Sequence, residues 1–203
     1  MHPLFAKLLK KLRSEPLDVV VRKIVTNAAA LAGGKVFLRA CDSVGARARC
    51  FGRPRIANEG HMHIGDDFAL GCAFGTASIV TSRHAAVDIG RGVTVNYGTS
   101  IRAARHVSLG DRVLVGPFCV IEGADVPGDE AHASSIEIGN DVWLAARVVV
   151  RPGARIGAGA VIAAGSVVDG EIPANAIASG APARVLRIRE PHEAAEVEHA
   201  SVA

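Results

Sequence analysis

Aromatic side chains are scarce in this chain, at 4% of its 203 residues. That excludes a core built around large rings and requires a narrow one of small and β-branched residues. An excess of one charge is missing too: 23 Lys and Arg stand against 20 Asp and Glu, a net of +3, too mild for nucleic-acid binding by bulk electrostatics. No apolar run is long enough to span a bilayer, and Lys7, Lys10 and Lys11 break the early apolar runs that a secretory leader needs. Cys41, Cys50, Cys72 and Cys119 form no CxxC pair and no metal-ligand spacing. Reduced thiols in a cytoplasmic protein are therefore expected.

What the chain does have is 22 glycines, 49% apolar residues and a fixed period. From Val44 onward a large aliphatic residue recurs every six places, most regularly at Ile138, Leu144, Val150, Ile156, Ile162 and Val168. Four places after each of the first five sits a smaller residue: Val142, Val148, Ala154, Ala160 and Ser166. Earlier runs obey the same rule, as in Ile89, Val95, Ile101 and Leu109, Val115, Ile121. Six does not match the period of an amphipathic helix. It suits short strands joined by tight corners, three sides to a coil, with the aliphatics of one coil stacked on those of the next about 4.8 Å away.

Three regions follow. Residues 1–40 have helical character: Leu4, Phe5, Leu8, Leu9 and Leu12 share one face, Pro16 interrupts, and Val20, Ile24 and Val25 resume before Gly33 and Gly34. This segment docks on the body or on a partner subunit, or touches a membrane surface through its basic face. Residues 44–172 form the periodic β body, and 173–203 a C-terminal extension with a frayed, acidic tail.

The stretches IGNDVWLAARVVVRPGARIGAGAVIAAGSVV and IPANAIASGAPARVLR resemble the hexapeptide-repeat acyltransferases, in the maltose, galactoside and polysaccharide O-acetyltransferase branch. The resemblance covers roughly residues 44–189. It implies an all-β fold, a left-handed parallel β-helix behind an N-terminal α-helical segment, against the usual right-handed crossover rule. It also implies a homotrimer with sites between neighbouring prisms, acetyl-coenzyme A as acyl donor, and a sugar or glycolipid acceptor. On this likeness Trp143, Ala145, Ala146 and Ala164 line the pantetheine arm. Arg184 and Arg187 lie near the nucleotide phosphates, a task suited to guanidinium geometry. Asn96 falls on the acceptor side.

The chain departs from the family pattern twice. Asp169-Gly170-Glu171 replaces a Thr-Lys-Asp that helps hold the donor, and Pro127 stands where the family has its histidine base. Transfer to a hydroxyl needs such a base, and histidine has the suitable pKa. The six-residue rhythm is interrupted at 62–63, 82–88, 107–108 and 127–137, always after a third side, so the interruptions line one edge of the prism. His61, His63, His84, His106 and His132 sit in or beside them. His132 with Asp125 is the first expectation for the catalytic pair, His106 the reserve, and His84 an acceptor-side residue. A metal site like that of the γ-class carbonic anhydrases and a non-catalytic trimeric scaffold are the alternatives.

Overall fold

The computed structural model describes residues 17–124 and 134–190. Its first element, helix α1 (Leu17–Phe37), runs straight through Gly33 and Gly34, where the sequence reading placed an end. The reason is packing. A Cβ on Gly33 would press on the Cys50 carbonyl and one on Gly34 would overlap that of Ala48, so the two glycines let the helix backbone lie directly on the first coil. Ala30 and Leu38 are buried beside them, and a short 3-10 turn, Leu38–Ala40, leads into the body.

The body is a left-handed parallel β-helix of about 6 turns. Its first sheet stacks strands Ser43–Val44, His61–Ile64, Ala86–Ile89, His106–Leu109, Ile136–Ile138, Arg155–Ile156 and Glu171–Ile172. The second sheet runs from Arg49–Phe51 to Ala176–Gly180, and the third from Arg55–Asn58 to Val167–Val168. All these neighbours pair in parallel. The final strand, Ala183–Ile188, turns back antiparallel on Ala176–Gly180 and closes the second sheet.

The predicted aliphatic columns fill the prism. Ile89, Leu109, Ile138 and Ile156 line one side, Val95, Val115, Leu144 and Ile162 the next, and Ile101, Ile121, Val150 and Val168 the third, all 4% exposed or less. Register stacks like on like, Ile101 on Ile79 and Ile121 on Ile101. Burial of each such side chain contributes about 1.5–3 kcal/mol. The smaller residues Val142, Val148, Ala154, Ala160 and Ser166 are fully enclosed at the corners.

One expectation needs correction. Residues 62–63 and 107–108 do not leave the coil: they lie inside the strands His61–Ile64 and His106–Leu109. Ala86–Ile89 likewise absorbs residues 86–88, and 136–137 belong to Ile136–Ile138. A strand alternates with period two, so a pair of added residues lengthens it and keeps its core face unchanged while breaking a count of six. Residues 82–85 form the turn between the third and first sheets, and residues 125–133 lie outside the described residues.

Candidate active site

His106 opens a strand of the first sheet, and its Nε2 lies 2.8 Å from Asp88 Oδ2 on the adjacent rung. An ionised carboxylate only accepts, so the imidazole donates from Nε2. In the neutral ring this leaves the Nδ1 lone pair free to take a proton. The pair is half exposed, with side-chain accessibilities of 40% and 47%. Beside it runs a groove of about 490 Å³ lined by His106, Ser108, Glu137, Arg155, Glu171 and Pro173 among others. Further down the same sheet, Ser43 Oγ and His63 Nδ1 share a hydrogen bond of 2.8 Å. Asp88 was not anticipated. It lies 18 residues before its partner, and only the coil length makes them neighbours.

The residues expected to hold the donor gather elsewhere. Trp143 projects from the outer face of the second sheet, 43% exposed, in register with Leu114 below and Val161 above. Val161 pairs in turn with Ile177, and Ile177 with Arg187. Ala145 and Ala146 occupy the corner that follows, with Ala164 one coil higher, where Gly165 N donates to Ala146 O at 2.9 Å. Arg184 and Arg187 are exposed on the closing strand. Small side chains along the corner leave room for a thin chain, and a Cβ on Gly165 would meet nothing within 4 Å. Arg189, unremarked in the sequence, is instead buried, its Nη2 donating to the Gly159 carbonyl and pinning the end of the closing strand.

The other anticipated residues divide. Asn96 lies two coils below Ala145, its Nδ2 donating to Val115 O at 3.0 Å. His84 sits exposed in the turn between third and first sheets with a left-handed φ of 61°. His132, Asp125 and Pro127 lie outside the described residues. Among the described residues no group of three or more His, Cys, Asp or Glu side chains converges to hold a metal ion. The thiols are poor nucleophiles: burial, ahead of a small repulsion by neighbouring groups, pushes Cys41 up to about 11 and Cys50 up to about 12.

The His106 edge and the donor corner therefore occupy different edges of the prism, separated by the third sheet. The two groups of residues face apart.

Comparison with known proteins bears on the family. Residues 135–170 match the family model described as bacterial transferase hexapeptide (six repeats). The chain is 30% identical over 168 residues, 75% of its length and 82% of the relative's, to an Escherichia coli K12 protein provisionally named as the lipopolysaccharide biosynthesis O-acetyl transferase WbbJ. It is 37% identical over 108 residues to the galactoside O-acetyltransferase of the same organism, covering 50% of this chain and 53% of that one. Several of the curated relatives are matched over only about half of their length. A solved galactoside acetyltransferase in complex with coenzyme A superposes with a TM-score of 0.54 at 25% identity, covering 89% of this chain and 76% of that one. The chain belongs to the hexapeptide-repeat acyltransferases, in the branch of the sugar and polysaccharide O-acetyltransferases.

Proposed function

We propose that this protein transfers an acetyl group from acetyl-coenzyme A to a sugar hydroxyl of a surface polysaccharide or glycolipid in the cytoplasm, working as a homotrimer. The observation that carries the proposal is the ordered strip formed by Ala145, Ala146 and Ala164 with Trp143 beside them and Arg184 and Arg187 above. The small corner residues would take the pantetheine arm, and the two guanidiniums the nucleotide phosphates. The relatives' names supply the reaction class, and the coenzyme A bound to the solved relative supplies the donor.

A three-fold axis parallel to the prism preserves the height of every coil. It would bring His106 of one chain, in the fourth coil, to the donor-bearing corner of the next, one coil below Ala145 and Ala146. His106 Nδ1 then removes the acceptor's proton as its oxygen attacks the thioester carbonyl, with Asp88 holding the ring and stabilising the imidazolium. Collapse of the tetrahedral intermediate expels the thiolate, which the imidazolium protonates.

Isothermal titration with acetyl-coenzyme A tests the donor half. Saturable binding at one site per chain is expected, weakened about ten- to a hundredfold in the Arg184→Ala/Arg187→Ala double variant, the size of losing charge-assisted contacts to phosphate. Absence of binding would leave the scaffold reading.

The helix bears on the glycolipid option. Residues 1–40 hold eight Lys and Arg against two Asp and Glu, so +6 of charge lies in this segment of a chain whose total is +3. Val21, Ile24 and Val25 are 57%, 53% and 61% exposed, and their spacing puts them on the helix face opposite the Gly33–Gly34 pair. Contact with an anionic membrane surface is the reading we add. Flotation with vesicles containing phosphatidylserine should carry the protein up. Protein left at the bottom of the gradient at low salt would remove this part.

A further inference from the structure

The chain has only six Phe, one Tyr and one Trp, yet three of these rings meet at one corner of the prism. Phe74 and Tyr97 stack edge to face with centroids 5.4 Å apart and planes at 72°. Tyr97 and Phe118 repeat the arrangement at 5.4 Å and 88°. The rings are not sheltered: Phe74 is 79% exposed and Phe118 46%. The matching corner position is glycine in two other coils, Gly98 and Gly165, and Arg147 in a third, all at positive φ. Phe118 holds the same left-handed conformation at φ 57°, unusual for a bulky residue. Gly98 makes the room, because a Cβ there would overlap the Phe118 ring. A disfavoured backbone and a missing side chain together present rings that the core does not use.

The corner is also the donor corner. Backbone bonds climb it without a break: Gly98 N to Gly75 O at 3.1 Å, Phe118 N to Tyr97 O at 3.0 Å, Arg147 N to Pro117 O at 2.9 Å and Gly165 N to Ala146 O at 2.9 Å. The aromatic ladder thus occupies the second to fourth coils, directly below the alanines of the fifth and sixth. Its top ring, Phe118, shares a coil with His106.

We propose that Phe74, Tyr97 and Phe118 form the acceptor platform, on which a neutral glycan of two or more units lies along the corner. Its reacting hydroxyl is delivered at the height of Phe118. This rests on the acetyl-transfer reading and extends it to a substrate class: an oligosaccharide chain rather than a free monosaccharide. The apolar C–H face of a pyranose complements the electron-rich face of an aromatic ring. No side chain of the segment Thr94-Val95-Asn96-Tyr97-Gly98-Thr99-Ser100 is charged, and the Tyr97 ring carries a hydroxyl, which suits a neutral glycan.

The test uses the full-length protein on an array of neutral mono- to hexasaccharides, alongside Phe74→Ala and Tyr97→Ala variants, with acetyl-coenzyme A titrated separately. The expected result is retention of oligosaccharides over monosaccharides by the wild type. Each variant should weaken it about three- to tenfold, the worth of one ring stack, and leave donor binding unchanged. No glycan retained by the wild type, or retention unchanged in both variants, overturns the proposal. So does dissociation of the oligomer by Phe74→Ala in light scattering, which would make the ladder a subunit contact. Glycan binding that depends on the ladder in a protein that fails to bind acetyl-coenzyme A would instead uphold the platform and refute acetyl transfer.

Discussion

Replacing His106 by Asn lowers the rate of acetyl transfer by about 10²–10⁴-fold, the usual worth of a positioned general base, and leaves the affinity for acetyl-coenzyme A unchanged. The expectation follows from the tautomer. With Nε2 committed to Asp88 at 2.8 Å, Nδ1 is the basic atom, and the Asn amide stands near the place of Nδ1 but does not accept a proton at neutral pH. Asp88→Asn keeps the imidazole and loses the anion that fixes its tautomer, so a fall of up to about 10⁴-fold is expected. Steady-state rates at saturating donor, with calorimetry on the same preparations, separate this from unfolding or lost binding. The same substitution at His132 distinguishes the two histidines. If His132→Asn abolishes turnover and His106→Asn does not, the base lies in the segment around Pro127 and the present assignment is wrong.

How much of this was legible in the sequence depended on whether a feature repeats. The aliphatic columns recur at a fixed spacing, so Ile138, Leu144 and Val150 announced both the strands and their inward faces. The proposed donor strip rests on resemblance, and Trp143, Ala145, Ala146 and Ala164 could be matched because they lie within that regular part. The remaining features are contacts between coils of unequal length. Asp88 meets His106, and Phe74 meets Tyr97 and then Phe118, only once the added residue pairs in the lower coils are assigned to strands. Read as loop insertions, those pairs hide the neighbour relations. The run of α1 through Gly33 and Gly34 was missed for a similar reason. A glycine pair reads as a helix stop until the Cys50 and Ala48 carbonyls that require it are in place. Arg189, buried where Arg184 and Arg187 are exposed, has no local pattern to mark it.

The separation of the two half-sites leads to the second large effect. A chain carrying His106→Asn keeps its donor corner, and a chain carrying Arg184→Glu/Arg187→Glu keeps its His106 edge. All three substituted side chains are exposed or half exposed, so each protein should fold. Each alone should be nearly inactive at donor concentrations below KM, the first for want of a base and the second because two anions repel the phosphates. Mixed in the proposed trimer they should complement, since each site would draw its base from one chain and its donor groups from another.

The decisive measurement is therefore the acetyl-transfer rate of an equal mixture of these two variants, reassembled from unfolded chains or produced together. About three in four trimers are then mixed, and each mixed trimer holds one site with both halves intact, so about a quarter of the wild-type rate is predicted. A mixture no more active than the two variants measured apart would mean that base and donor act within a single chain, contradicting a site shared between neighbouring prisms.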